Sequence, residues 1–384
     1  WHVPEDEVYA QTTGRDRLEL LRKSTYSTSE VLPKPVELTP PTFSRDSAAY
    51  LPDGTQVAAN VPRFEQGKFG QAVMVEEGTT NLFTNPKLLN NGQGWTPYSS
   101  TAWVDSSGEY PYIHCEVQWD GVYQRLSLSA TTYTLTYLVK HKSGSNQIGT
   151  HFEGASTLKI RVDGGEWIDD NIITVPSDGN WHLVELQATY TTAGSYRIYL
   201  QPGRGVVGVS EFWFKYAQLE EKPYATSFTD GTRAAETLTI PTAGVLNPQE
   251  GTVMLRVYKP AYLNYNARLL WATEGTNRFG IHDWPDGKLT FALNSTGTQF
   301  SLEEPGLLAE KEWTWIVMSW KNGLVKAYVN GVLKEQQDYG SDQEAYIGDK
   351  LGIGCLPTGG QVFNGLIDEL HISNRARTDE EILA

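Results

Sequence analysis

Hydrophobic and polar residues along this chain mostly alternate with a period of two, the spacing of strands with one face buried. Gly251–Val257, Thr132–Val139 and Trp313–Trp320 are such runs, and turn-rich stretches separate them. Trp313–Trp320 is predicted to fold back across Asn322-Gly323 onto Leu324–Val329, and Asn330-Gly331 turns the chain again. Asn-Gly suits a two-residue hairpin because both residues tolerate positive φ. The last strand is predicted from Gly365, with Leu366, Asp368, Leu370 and Ile372 on one face and Ile367, Glu369 and His371 on the other. Thr378 stands three residues before Glu381, a capping box for one terminal helical turn. Near the start, Glu7–Ala10 reads as a strand. Arg15–Lys23 reads as an amphipathic helix carrying Leu18, Leu20 and Leu21.

These elements give an all-β fold class: two tandem antiparallel β-sandwich (jelly-roll) domains preceded by a short N-terminal anchoring segment. The expected boundaries are 1–41 for the tail end of an upstream domain and a Pro-rich linker, and 42–82 for an extended connector. The two sandwiches follow at 83–235 and 236–384. Opening on Trp1 rather than Met, the chain is expected to be a fragment or processed product. With 12 Trp and 20 Tyr against 3 Met, the cores are aromatic, leaving some rings free to stack on ligands. The formal net charge of −15 opposes nucleic acid and anionic membrane surfaces as partners. No run approaches the ~18 apolar residues of a membrane span. Cys115 and Cys355 fall in different expected domains, so two buried free thiols are predicted rather than a disulfide.

The terminal strand, basic turn and capped helix, with the preceding Trp315…Ser319-Trp320…Asn322-Gly323…Tyr328-Val329-Asn330-Gly331, resemble laminin-G-like, concanavalin A-like jelly rolls. The middle order Asn85-Pro86, Gly94-Trp95, Tyr123-Gln124, Tyr133-Thr134-Leu135, Trp181, Phe212-Trp213-Phe214 and Gln218-Leu219-Glu220 resembles jelly-roll carbohydrate-binding modules. Its flanks resemble a module of bacteriophage tail and baseplate proteins. The matching residues are Phe43, Arg45, Ala58-Ala59-Asn60, Pro62-Arg63-Phe64, Val75-Glu76-Glu77 and Thr80-Asn81-Leu82 before it, with Gln218–Glu221 and Arg233–Glu236 after it. The resemblance implies a non-catalytic phage tail protein, receptor-binding or baseplate-accessory, located in the virion and assembled in the host cytoplasm. Its implied partners are host cell-surface polysaccharide, other tail proteins and further copies of itself. The alternatives are an accessory carbohydrate-binding region of a polysaccharide hydrolase, or a structural decoration without a ligand.

Catalysis is not expected. Glycosidases need two carboxylates about the scissile bond. Where laminarinase-like strands carry Glu-x-Asp-x-x-Glu, this chain has Leu366 and His371 in place of the glutamates around Asp368. For glycan binding, Ser195–Gln201 puts Arg197, Tyr199 and Gln201 on one face, apt for sugar hydroxyls and stacking. Tyr123 and Gln124 answer to the carbohydrate-binding-module pattern. Trp119, Trp167 and Trp284 lie beside turn residues, where an indole is harder to bury, and Trp119 and Trp167 are preferred over Trp181. Both sandwich families often carry a structural calcium ion, so Ca2+ is a candidate cofactor. Asp368 and Glu369 are its candidate ligands, with Asp169-Asp170 a further source of carboxylates.

Overall fold

A computed structural model describes residues 7–13, 17–21, 40–274 and 276–383. It is almost entirely β, and the contacts divide it into two compact units. The first gathers the described residues up to Leu51, Gln56–Gly78 and those from Ala234 onward; the second comprises Pro52–Thr55 and Thr79–Arg233. The middle unit is thus an insertion in sequence. The stretch 42–82, expected to be a connector, largely belongs to the C-terminal unit.

The middle unit is a sandwich of two antiparallel sheets. One is six-stranded, in the order Trp103–Asp105, Tyr112–Cys115, Ser210–Glu220, Thr132–Gly144, His182–Thr189 and Thr157–Val162. The other is five-stranded: Ile172–Thr174, Gln147–Phe152, Gly194–Gln201, Val122–Leu128 and Thr96–Pro97. Ile113, Leu135, Tyr137, Ile148, Val184, Ile198, Phe212 and Phe214 fill the core.

The C-terminal unit also stacks two large sheets. In the nine-stranded one, Gly365–Ser373 lies between Glu250–Tyr258 and Glu7–Thr13, and also pairs with Gln71–Val75. The seven-stranded one runs Gln299–Leu302, Leu289–Ala292, Asn277–Asp283, Ala267–Glu274, Lys350–Ile353, Thr237–Pro241 and Thr42–Ser44. Trp320 bridges the layers, its ring centroid 5.0 Å from that of Phe279. Gly251 stands opposite Trp320, and a Cβ there would lie 2.2 Å from the indole, so only glycine fits. Among the described residues, no helix is long and apolar enough to cross a membrane.

Both Asn-Gly hairpins form as expected, with positive φ at Asn322, Gly323, Asn330 and Gly331. The capping box forms too: Glu381 N donates to Thr378 Oγ1 (3.3 Å) and Thr378 N to Glu381 Oε2 (2.9 Å). Two expectations fail. Arg17–Leu21 is a strand paired with Glu7–Thr13, not part of a helix. An apolar residue every second or third position can serve either element, and a neighbouring strand decides it. In the last strand Glu369 takes φ +47 and makes a bulge, since Met254 pairs with His371 and Arg256 with Asp368. Beyond the bulge the faces exchange. Ile367 and Ile372 accordingly lie opposite Val257 and Val253 of the core, whereas Leu366 joins Ala72 and Met74 in a satellite cluster.

The motif residues flanking the insertion are buried polar groups. In the C-terminal unit, Glu236 accepts from Arg45 Nη1 (2.7 Å), Arg63 Nε and Nη2 (3.0 Å each) and Glu76 N (2.8 Å), while Arg63 Nη2 also reaches Glu76 (2.7 Å). In the middle unit, Asn81 donates to Ala217 and Thr229 carbonyls and accepts from Leu219 N and Phe83 N. Glu220 accepts from the hydroxyls of Thr79 and Thr226 (2.6 Å each). Each unit thereby ties together the chain segments that border the insertion.

Cys115 and Cys355 are free and fully buried, one in each unit. Burial pushes the Cys355 thiol up to about 11 and raises that of Cys115 as well. Neither is expected to react with a disulfide reagent at pH 8 in the native state, whereas both should react in denaturant. A native-state thiol titration checks this, and rapid modification would show one of the cores to be open.

Candidate functional site

The outer face of the five-stranded sheet in the middle unit collects the chemistry expected of a sugar site. Strand register lays the residues out in transverse rows. Thr96, Tyr123, Tyr199 and His151 are consecutive partners across four strands. Arg125 pairs with Arg197 on one side of that row. On the other, Gln201 pairs with Gly149.

The Tyr199 ring is the floor. It lies 5.0 Å from Tyr123, 5.5 Å from His151 and 6.0 Å from Tyr98, measured between centroids. Tyr98 and Trp119 stand exposed beside it, at 49% and 42% of their full accessibility. At one end Arg197 lies over the Tyr123 ring (5.4 Å) and donates to the Tyr199 hydroxyl (3.3 Å), with the Glu153 carboxylate 4.0 Å away. At the other end Arg204 sits 4.8 Å from the Trp119 ring and donates to Gln201 Oε1 (3.0 Å). Gly149 makes room for it, because a Cβ there would come within 2.7 Å of Arg204 Cδ. Burial, then the nearby Arg204 charge, hold the His151 imidazole below its usual range, favouring the neutral ring.

Trp119 takes φ +75 on a loop that Asp120 clamps. The buried Asp120 carboxylate accepts from Ser99 and Thr101 hydroxyls and from the amides of Glu116 and Val117. Burial alone would raise this carboxyl, but those hydrogen bonds win and hold it below the ordinary range. Gln201 Nε2 also donates to the Trp119 carbonyl (2.7 Å). The ring is therefore carried on an anchored loop.

Of the residues expected from the sequence, the structure brings together Trp119, Tyr123, Arg197, Tyr199 and Gln201. Gln124 is not among them. It points inward and braces Thr84, accepting from its amide (3.0 Å) and donating to its carbonyl (2.5 Å). Adjacent strand residues face opposite ways, so Tyr123 and Gln124 could not both line the face. Trp167 belongs to the edge of the other sheet, under Arg161 (4.2 Å) and Lys159 (4.7 Å). Trp284, in the C-terminal unit, folds over its own hairpin and donates from Nε1 to Thr290 (2.8 Å). Tyr98, His151, Glu153 and Arg204 are additions. The alternation of Gly149 and His151 about Thr150 signalled a common face, but Arg204 reaches it only through a turn.

The candidate calcium ligands are engaged within the protein. Asp368 Oδ2 accepts from the amides of Lys68 and Phe69 and Oδ1 from that of Glu369, capping a turn. Glu369 pairs with Arg256 (2.8 Å), and Asp170 caps Asn171 N (2.6 Å). Among the described residues, no group of three or more His, Cys, Asp or Glu side chains could hold a metal ion, whereas calcium takes 6–8 oxygens.

Residues 230–383 match the family model described as the concanavalin A-like lectin/glucanases superfamily. That match falls within the C-terminal unit and its border, so this part of the chain is similar to that superfamily. No curated protein matches the chain. Similar solved structures include domain 4 of the extracellular arabinanase AbnA from Geobacillus stearothermophilus, in complex with arabinotriose, at 20% identity and TM-score 0.33, covering 42% of this chain and 79% of that one. Another is CBM40 of the Ruminococcus gnavus IT-sialidase bound to α2,3-sialyllactose, at 19% identity and TM-score 0.32, covering 37% and 84%. A third is the heptameric pentraxin of Limulus polyphemus, at 17% identity and TM-score 0.29, covering 35% and 69%.

Proposed function

We propose that this chain is a non-catalytic glycan-binding protein that uses the five-stranded face of its middle unit. The observation that carries the reading is the row of Tyr123, Tyr199 and His151 on one sheet face, walled by exposed Tyr98 and Trp119 and ended by Arg197 and Arg204. Aromatic faces with a few placed polar groups suit a ring that is apolar on its faces and hydroxylated at its rim. In the finer reading the glycan is a host cell-surface polysaccharide and the chain belongs to a bacteriophage tail, displayed in several copies on the virion. That setting rests on the resemblance of the segments flanking the middle unit, and weak single-site binding would be offset by multivalency.

The test is binding of the full chain to purified bacterial cell-wall polysaccharides, alongside Trp119→Ala, Tyr123→Ala and, as a control, Trp167→Ala. Losing one stacking ring is expected to weaken binding about tenfold in the first two variants, with Trp167→Ala unchanged. Equal binding by all three would remove the site from this face. Release of shortened saccharide during the assay would overturn the non-catalytic reading.

A further inference from the structure

The C-terminal unit has a second polar face that the middle-unit site does not explain. On the outer side of its seven-stranded sheet, Arg268, His282, Thr290 and Ser301 are successive partners across four strands. The next row is Trp271, Gly280, Ala292 and Gln299, with small residues at its centre. Trp284 stands at the edge, 38% exposed, its ring 5.5 Å from His282.

Five buried polar atoms on this face lack any hydrogen-bond partner: Nε and Nη1 of Arg268, Nδ1 and Nε2 of His282, and Oε1 of Gln299. His282 is only 6% exposed. Unpaired polar groups are costly in a native protein, and five on one face can be satisfied by water or by a bound ligand. The charged groups bearing on His282 are Arg268 and Arg278, both cationic; with burial first, they hold its imidazolium down to about 3. Burial likewise lowers the Arg268 guanidinium, to about 10, with Arg278 adding to the effect. In a chain of net charge −15 this is a local cationic patch. Arg268 lies over the Trp271 ring at 4.3 Å and is half-buried.

We propose that this row is a second saccharide site, selective for sugars that carry a carboxylate. The carboxylate pairs with Arg268, the sugar ring lies against the open side of Trp284, and its hydroxyls meet His282, Ser301 and Gln299. The site is independent of the middle-unit face in location and in the charge it selects.

The experiment compares binding of the full chain to polygalacturonate and to the same polymer after carboxyl reduction, using wild type, Arg268→Gln, Arg268→Lys and Tyr123→Ala. Wild type is expected to prefer the acidic polymer by about tenfold, the effect of one charge-assisted contact. Arg268→Gln should abolish the preference, Arg268→Lys should keep part of it, and Tyr123→Ala should leave it intact. Arg268→Gln removes an unpaired, partly buried charge, so an unchanged melting temperature separates lost binding from lost fold. Equal binding of the two polymers, an Arg268→Gln variant that behaves as wild type, or a preference lost in Tyr123→Ala would each overturn the proposal. So would equal competition by inorganic sulfate and by monomeric galacturonate at the same concentration, which would mark an anion hole with no use for the sugar.

Discussion

Glu236→Ala is expected to destabilise the C-terminal unit by about 3–5 kcal/mol, the range for removing one partner from a buried ionic network. Arg45, Arg63 and Glu236 have no exposed side-chain surface, and Glu76 almost none. Their charges cancel in pairs, and Glu236 alone receives four hydrogen bonds. Alanine removes the carboxylate that Arg45 and Arg63 share and also strips the Glu76 amide of its acceptor. Glu236→Gln keeps the shape and loses the charge, so its cost should be smaller but of the same sign. Because the chain has two units, the measurement is the urea transition of the C-terminal unit followed through its own tryptophans, with hydrogen exchange on Gln71–Val75 as a local readout. A cost under about 1 kcal/mol would mean that water reaches the network and pairs the arginines.

The same network shows what the sequence could and could not convey. The Phe-x-Arg, Pro-Arg-Phe, Val-Glu-Glu and Arg-Ala-Ala-Glu segments were recognisable as a set on both sides of a domain-sized stretch. Their physical meaning lay in pairings 173 and 191 residues apart, and no local pattern specifies a contact at that separation. Alternation and Asn-Gly turns were enough to give the all-β class and two hairpins, because both signals are local. The bulge at Glu369 was not legible, since it arises from how two strands share register rather than from either strand alone. Five of the eight residues expected to bind glycan lie together, and for the four on strands, Tyr123, Arg197, Tyr199 and Gln201, the reason is that period two fixes which residues share a face. Gln124 fails by that very rule. Trp167 and Trp284 lie apart from that face because proximity to a turn says where an indole starts, not which ring, cation or hydroxyl it settles against.

Glu65→Gln is expected to stabilise the protein at pH 8 by about 1–3 kcal/mol and to have no effect at pH 4. Glu65 lies beside the network on the strand Arg63–Gln66, and its Oε1 is cut off from water without a partner. Burial, reinforced by Glu76 and Glu236 and opposed by Arg63, lifts its carboxyl from an ordinary 4.5 to about 7. The folded chain therefore holds this proton more tightly than the unfolded chain. The resulting stabilisation is complete below about pH 4.5 and is lost as pH rises through about 7, where the buried group must ionise. A full shift of that size corresponds to about 3 kcal/mol at 1.36 kcal/mol per unit, and partial access to water reduces it. Glutamine stays neutral throughout, so the difference between the variant and wild type should open between those two pH values. Unlike Glu236→Ala, this substitution relieves the interior of a charge it cannot pair, so neighbouring carboxylates should carry opposite signs in a stability scan. A difference that stays constant from pH 4 to pH 8 would show that Glu65 ionises as a surface residue does.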